Sequence, residues 1–133
     1  MKVLKVFLVD DDKIFVFLAK RIIAETKIET EVIVFGNGLE AINYLKEIKE
    51  QPELLPDIIL LDLNMPVMDG WEFLEEYIDL GIMFKKQVPI YVVSSSISPL
   101  DIEKAKNIDI VTDYIFKPIY METVKGLIGK LLA

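Results

Sequence analysis

Residues 57–63 read DIILLDL, an apolar run that ends at a carboxylate and one further leucine. The apolar residues follow one another without the polar alternation of a half-buried strand. A continuous run of this kind is typical of a strand in a parallel sheet that helices cover on both faces. Residues 3–9 (VLKVFLV) have a similar character and stop at three consecutive aspartates, positions 10–12. Because burying an unpaired carboxylate is costly, both strands must end at the protein surface or at a bound cation.

Apolar runs and amphipathic stretches alternate five times along the chain. We predict strands at residues 3–9, 31–35, 57–63 and 88–93, and a fifth that ends within 113–118. Helical spacing predicts helices at residues 13–25, 39–49, 71–80, 98–107 and 120–132. The predicted inward faces of the first two include Leu18 and Leu39, and Ser98 is expected to cap the fourth, with Pro99 at its first position.

This alternation predicts an α/β protein with a flavodoxin-like (βα)5 fold, a doubly wound parallel sheet in a single domain over residues 1–133. The strand order 2-1-3-4-5 is taken from known folds of this type.

The composition excludes several kinds of chemistry. The 133 residues are 53% hydrophobic, which allows one domain with a substantial core. Asp and Glu number 22 against 15 Lys and Arg, and the net charge of -7 argues against direct nucleic-acid binding. Without cysteine or histidine, the chain has no disulfide, thiolate nucleophile or imidazole ligand of its own. No apolar run reaches the ~20 residues of a membrane helix, and the first residues do not form a signal peptide. We therefore expect a cytoplasmic protein without membrane contact.

Functional groups follow four of the five predicted strands, and with the order 2-1-3-4-5 these four strands are adjacent. The first ends at Asp10 and Asp11, the third at Asp62, the fourth at Ser94 and the fifth at Lys117. In an open α/β sheet the ligand site lies beyond the carboxyl ends of the strands. Clustered carboxylates favour Mg²⁺, and a lysine and a hydroxyl can hold a phosphate. The set predicts a phosphoryl-transfer site in which Lys117 pairs with Asp62 and Asp62 is the nucleophile.

Four segments together resemble the receiver domain of two-component response regulators: LVDDD, DIILLDLNMPVMDG, PIYVVSSS and DYIFKP. The likeness covers essentially the whole chain, in the right order and spacing. The segments SSS and GWEFL also resemble a subgroup of small stand-alone receivers.

The resemblance implies roles for the acidic residues. Asp62 corresponds to the phospho-accepting aspartate. Asp10 and Asp11 correspond to the acidic pair that binds Mg²⁺, together with Asp62 and the backbone carbonyl of Asn64. The side chain of Asn64 corresponds to a position that tunes the rate of dephosphorylation.

The resemblance also implies a switch. Ser94 corresponds to the hydroxyl that contacts the phosphoryl group, and Lys117 to the lysine followed by a cis peptide bond to Pro118. Tyr114 corresponds to the aromatic residue that turns from solvent toward the core after phosphorylation. Ser96 corresponds to a second position that tunes dephosphorylation.

The implied function is a phosphorylation-dependent signalling switch rather than a turnover enzyme. A histidine kinase or phosphotransfer protein would supply the phosphoryl group, and Ile14 and Leu18 on the first helix are expected to lie in its docking face. The output would be altered binding to another protein, with the chain itself a monomer or weak homodimer.

Three alternatives stay open. The chain could be a degenerate, unphosphorylated receiver that acts as a scaffold, although its acceptor set argues against that. An aspartyl-phosphate phosphatase needs a second carboxylate two residues after its nucleophile, where this chain has Asn64. A flavin-binding module on the same fold needs a first loop rich in glycine and hydroxyls, where this chain has aspartates.

Overall fold

The alternation of apolar and amphipathic segments produces a regular succession of strands and helices. The computed structural model describes residues 3–81, 84 and 86–133. Its elements are β1 (Leu4–Val9), α1 (Lys13–Glu25), β2 (Thr30–Phe35), α2 (Gly38–Ile48), β3 (Ile58–Leu61), α3 (Gly70–Gly81), β4 (Ile90–Ser94), α4 (Pro99–Lys106), β5 (Val111–Phe116) and α5 (Met121–Leu132). A short 3-10 helix at Pro52–Leu54, between α2 and β3, was not predicted.

The five strands form one parallel sheet in the order β2-β1-β3-β4-β5, which confirms the predicted fold class and strand order. The register aligns Val9 of β1 with Leu61 of β3. On the other side of the sheet, Ser94 of β4 is aligned with Phe116 of β5. Consequently, the residues that follow these aligned pairs leave the sheet next to one another at one edge.

Successive side chains of the central strands point to opposite faces of the sheet and pack in two different apolar layers. Phe7, Val9, Ile59 and Leu61 face the layer that contains α2 and α3. Their neighbours in the same strands face the layer that contains α1 and α5. Both faces of β3 are buried, which explains why its sequence shows no polar alternation.

The helix starts agree with the sequence in part. Asp12 caps α1, since its Oδ1 accepts hydrogen bonds from the amides of Ile14 and Phe15 at 3.0 and 3.1 Å. Ser98 is the N-cap residue of α4 and Pro99 is its first residue, as predicted, although the Ser98 side chain makes no capping hydrogen bond.

Two residues predicted to face inward are exposed instead, Leu18 on α1 and Leu39 on α2. The buried side of α1 is formed by Phe15, Ala19 and Ile23. Apolar residues occupy five consecutive positions at the start of this helix, so the helical period alone could not decide which of them face the sheet. None of the helices in the described part of the chain combines the length and apolar character that crossing a bilayer requires.

Candidate functional site

Asp10 and Asp62 lie side by side because each follows one member of the aligned pair Val9 and Leu61. The amide of Asp62 donates to the carbonyl of Val9 at 2.9 Å, and the amide of Asp10 donates to the carbonyl of Phe35 at 2.9 Å. Both carboxylates are buried. The exposed carboxylate of Asp11 completes a group in which one oxygen from each of the three aspartates lies within 4.8 Å of the others.

The first residue of α3 fixes the position of Asp62 from the other side. The amide of Gly70 donates to the carbonyl of Leu63 at 2.9 Å. A Cβ on Gly70 would lie 2.4 Å from the carbonyl oxygen of Asp62. The close approach of α3 to the end of β3 therefore requires a residue without a side chain at position 70.

Lys117 extends from the end of β5 into this acidic group. Its Nζ lies 2.8 Å from Oδ2 of Asp10 and 3.6 Å from Oδ1 of Asp62. The pairing with Asp62 predicted from the sequence is thus the longer of two ion pairs. The ammonium also lies 4.3 Å from the ring centre of Phe15, a cation–π contact on α1. The Lys117–Pro118 peptide bond is cis.

Burial dominates the electrostatics of the two inner carboxylates. Burial and, after it, the neighbouring Asp10 raise the pKa of Asp62 from 3.8 to about 6, although Lys117 opposes both effects. Burial likewise raises the pKa of Asp10, against the lowering effect of Lys117 and of the Asp12 amide, which donates to Asp10 Oδ1 at 2.9 Å. The group therefore holds more negative charge than its single lysine compensates.

The donor set fits a hard divalent cation. All three side chains offer carboxylate oxygens, the ligands that Mg²⁺ and similar ions prefer. Oδ2 of Asp10 is buried, and the ammonium of Lys117 lies 2.8 Å from it. A carboxylate oxygen has two lone pairs, so an oxygen paired with one ammonium can still bind a metal ion. Asn64 follows two residues after Asp62 in an exposed loop.

Ser94 is fully buried at the end of β4, and its Oγ accepts a hydrogen bond from the amide of Ser96 at 3.0 Å. The hydroxyl proton of Ser94 is not used in that bond and can be donated elsewhere. The hydroxyl of Ser96 donates to Oδ2 of Asp101 at 2.7 Å.

Tyr114 differs from the orientation expected for the unmodified chain. Its ring is buried rather than exposed to solvent, and its hydroxyl donates to the carbonyl of Ser96 at 2.9 Å. The Tyr114 ring therefore already occupies the buried position that the resemblance assigns to the phosphorylated state. The aromatic residue already lies behind the β4–α4 loop.

The proposed docking residues are exposed. Ile14 is 74% exposed and Leu18 is 47% exposed, with Phe17 between them. An open cleft of about 400 Å³ runs from Asp10 along α1 and is also lined by Lys13 and Phe17. Phe17 therefore adjoins the acidic group, whereas neither Ile14 nor Leu18 lines this cleft.

Sequence patterns did not identify Phe15 or Asp101 as residues of the site. Helical spacing predicts a core position for Phe15, and its contact with Lys117 depends on where two distant segments meet. Ser98 and Asp101 have the spacing of a capping box, but the hydroxyl that bonds Asp101 is that of Ser96. Two sequence features could have pointed to them. Phe15 is an aromatic residue three positions after the acidic triplet, and Asp101 is an acid in the first turn of α4.

Similar proteins of known structure have the same architecture. A two-component response regulator from Cytophaga hutchinsonii is 34% identical, with a TM-score of 0.87 over 99% of this chain and 98% of that one. The phosphorylated cyanobacterial phytochrome response regulator RcpA is also 34% identical, with a TM-score of 0.80 over 99% of this chain and 96% of that one.

The response regulator Rcp1 from a Synechocystis strain is similar in sequence and structure. It is 33% identical over 94 residues, which are 68% of this chain and 61% of Rcp1, so the match spans less than two thirds of that protein. The Mn²⁺-bound form of Rcp1 has a TM-score of 0.76 over 92% of this chain and 90% of that one, at 28% identity. Residues 6–128 match the family model of the response regulator receiver domain. The chain therefore belongs to the response regulator receiver domains of two-component signalling.

Proposed function

We propose that this receiver is switched by phosphorylation of Asp62 in the presence of Mg²⁺. One observation carries the proposal: Asp10, Asp11 and Asp62 gather their carboxylates within 4.8 Å, next to the ammonium of Lys117. A cluster with this charge suits a site that binds a divalent cation and then a phosphoryl group. The phosphorylated RcpA and the Mn²⁺-bound Rcp1 support the same chemistry by analogy.

Each side chain has a distinct role. Asp10, Asp11, Asp62 and the backbone carbonyl of Asn64 would hold the cation. When bound, Mg²⁺ neutralises the carboxylates and the oxygens of the transferred group, so that two anions can approach one another.

Lys117 can remain near Asp10 and still reach a phosphoryl oxygen, because its ammonium lies between the two buried carboxylates. Ser94 is oriented by the Ser96 amide so that its hydroxyl proton can be donated to a phosphoryl oxygen.

In the transfer step, a carboxylate oxygen of Asp62 attacks the phosphorus of a phosphohistidine in a histidine kinase or phosphotransfer protein. The new O–P bond forms as the P–N bond breaks, and the electron pair stays on the histidine nitrogen, which takes a proton. Hydrolysis reverses the modification, since a water oxygen attacks the phosphorus and Asp62 leaves as a carboxylate. Asn64 and Ser96 are proposed to tune the rate of that second step.

The consequence of phosphorylation is a shift between conformations with different partner surfaces. Since Tyr114 is already buried, the shift is proposed to act on the β4–α4 loop and α4 rather than to begin with the tyrosine. Residues 1–133 would act as one receiver unit that changes its binding to another protein, with Ile14 and Leu18 in the surface that receives the phosphodonor.

Intact mass after incubation with acetyl phosphate tests the proposal. Wild type should gain a single acid-labile phosphate with Mg²⁺ and none with EDTA, and Asp62→Asn should gain none. Asp12→Asn is the matched control: it removes the same charge nearby but keeps a side chain that caps α1, so it should be phosphorylated normally. Phosphate on Asp62→Asn would refute the assignment of the acceptor.

Two other outcomes distinguish the alternatives. If neither acetyl phosphate nor a phosphorylated histidine domain modifies the chain, the scaffold hypothesis is favoured. Steady turnover of a phosphate ester would instead indicate a phosphatase, which the amide of Asn64 cannot support as an acid or base.

A further inference from the structure

Ser96 connects three parts of the molecule through one residue. Its amide donates to Oγ of Ser94 at 3.0 Å, and its carbonyl accepts from the hydroxyl of Tyr114 at 2.9 Å. Its hydroxyl donates to Oδ2 of Asp101 on α4 at 2.7 Å and accepts from the amide of Ser98 at 3.3 Å. The conformation of this residue therefore depends on the strand end, on the buried aromatic ring and on α4 together.

The helix at the far end of this network is weakly attached. Only Ala105 of α4 is buried, and no side chain caps its first turn. Ile102 is only partly buried against the same core layer. The helix also makes a cation–π contact, in which Nζ of Lys104 lies 4.3 Å from the ring centre of Trp71 on α3. With so little apolar burial, a single short hydrogen bond can be a substantial part of what fixes the helix.

We infer that Asp101 is a positioning residue that couples α4 to the phosphoryl site through the hydroxyl of Ser96. This coupling rests on the proposed function for its role in signalling, but the contact itself is present without phosphate.

A serine hydroxyl has one proton, and here it is committed to Asp101. If α4 moves away, Ser96 loses that acceptor and its backbone is freer to turn. Turning would change the hydrogen bonds of its amide to Ser94 and of its carbonyl to Tyr114. Conversely, a phosphate that draws Ser94 toward Asp62 pulls on the Ser96 amide and hence on Asp101. Because the same peptide groups take part in both events, the position of α4 and the state of the site depend on each other.

Amide hydrogen exchange tests the contact in the unphosphorylated chain. Asp101→Ala and Ser96→Ala should each speed exchange at Ile102 and Asn107, whose amides donate to the carbonyls of Ser98 and Glu103, by roughly three- to tenfold. The double variant should exchange no faster than Ser96→Ala, because that substitution removes the bond to Asp101 together with the longer bond from the Ser98 amide. Asp101→Asn, which keeps an acceptor oxygen, should recover most of the protection.

Glu103→Ala provides the control for loss of a negative charge from the same helix, because Glu103 is exposed. It should change exchange by less than about twofold, as surface charges contribute little. Additive effects of Asp101→Ala and Ser96→Ala, or no effect of either, would overturn the inference.

The fluorescence of Trp71, the single tryptophan of the chain, tests coupling to the site, since Lys104 of α4 touches its ring. Phosphorylation should change the Trp71 emission of wild type. Asp101→Ala should take up the same phosphate by mass but lose more than about half of that change.

A full-size emission change in Asp101→Ala, or none in phosphorylated wild type, would also overturn the inference. Absence of phosphate on wild type would instead contradict the proposed function, and the exchange experiment then decides the Asp101 contact alone.

Discussion

Gly70→Ala probes the backbone packing that fixes the end of β3, and with it Asp62. A Cβ at position 70 would lie 2.4 Å from the carbonyl oxygen of Asp62 and 2.8 Å from Cα of Leu63. Both obstacles are backbone atoms, so no side-chain rotation relieves them. To reach the roughly 3.3 Å at which carbon and oxygen normally touch, α3 and the end of β3 must separate by about 0.9 Å.

The cost of that separation can be worked out from its parts. Forcing an extra carbon into a packed site costs about 1–3 kcal/mol. The movement also stretches the hydrogen bond from the Gly70 amide to the Leu63 carbonyl, now 2.9 Å, which contributes about 1 kcal/mol. The helix preference of alanine over glycine returns up to about 1 kcal/mol. We therefore expect the free energy of unfolding to fall by about 2 kcal/mol.

Urea unfolding followed by far-ultraviolet circular dichroism measures this loss as a midpoint lowered by about 1 M. Gly126→Ala is the matched control, because no described atom lies within 4 Å of a Cβ at that exposed position of α5. The same substitution there should stabilise the protein by about 0.5–1 kcal/mol. Should Gly70→Ala unfold within about 0.5 kcal/mol of wild type, the close contact of α3 with the Asp62 backbone would be wrong.

Three further substitutions test other parts of the structure. The pKa of Asp62 is raised to about 6, so ionisation of this carboxyl opposes folding above that pH. In metal-free buffer at pH 7.5, Asp62→Asn should therefore raise the free energy of unfolding by roughly 2–3 kcal/mol. That gain should shrink as the pH falls from 6 toward 4 in urea titrations, and a gain independent of pH would contradict it. Val67 is exposed at a φ of 69°, so Val67→Asn should stabilise by about 1 kcal/mol in thermal unfolding, whereas Val67→Ile should not. Asp57 is buried and its Oδ1 lies 2.7 Å from Nζ of Lys86, so Asp57→Ala should cost about 3 kcal/mol in urea unfolding while the folded protein still accepts phosphate; unchanged stability would refute the role of this pair.

The architecture could be predicted from the sequence because its information is distributed over long segments. Strands covered on both faces need unbroken apolar runs, and β3 has such a run with both faces buried. The strand order was taken from known folds of this type and not from the runs, because an apolar run does not specify which strands lie beside it. Most boundaries differ by one or two residues, as at α3, which begins at Gly70 rather than Trp71.

The composition of the site was predictable for a similar reason. Parallel strands deliver the residues after their carboxyl ends to one edge, so Asp10, Asp62 and Lys117 had to meet if the strands were correct. The particular pairing was not predictable, because 2.8 Å to Asp10 against 3.6 Å to Asp62 depends on the path of one flexible side chain. The contact of Lys117 with Phe15 depends on the same path.

Side-chain orientations beyond the strand ends were outside the reach of sequence patterns. The burial of Tyr114 and the bond between Ser96 and Asp101 depend on rotamers selected by packing in three dimensions. Leu18 was misplaced because the first helix is apolar around most of its circumference at its start. Such a helix has no unique buried stripe, so the surplus of apolar residues becomes exposed surface.

The charge balance of the site explains why these details matter for its chemistry. Three carboxylates and one ammonium leave two negative charges in excess, and one divalent cation would neutralise them. Lys117 is held closer to Asp10 and against the ring of Phe15, so its attraction for Asp62 is too weak to offset burial and the repulsion of Asp10. Asp62 is therefore a buried carboxylate whose charge is only partly compensated by the protein. A carboxylate in that state gains more from a bound divalent cation than one that the protein already neutralises. Under the proposed function, the cation would remove the repulsion between the carboxylates and so lower the electrostatic barrier to transfer of a phosphoryl group to Asp62.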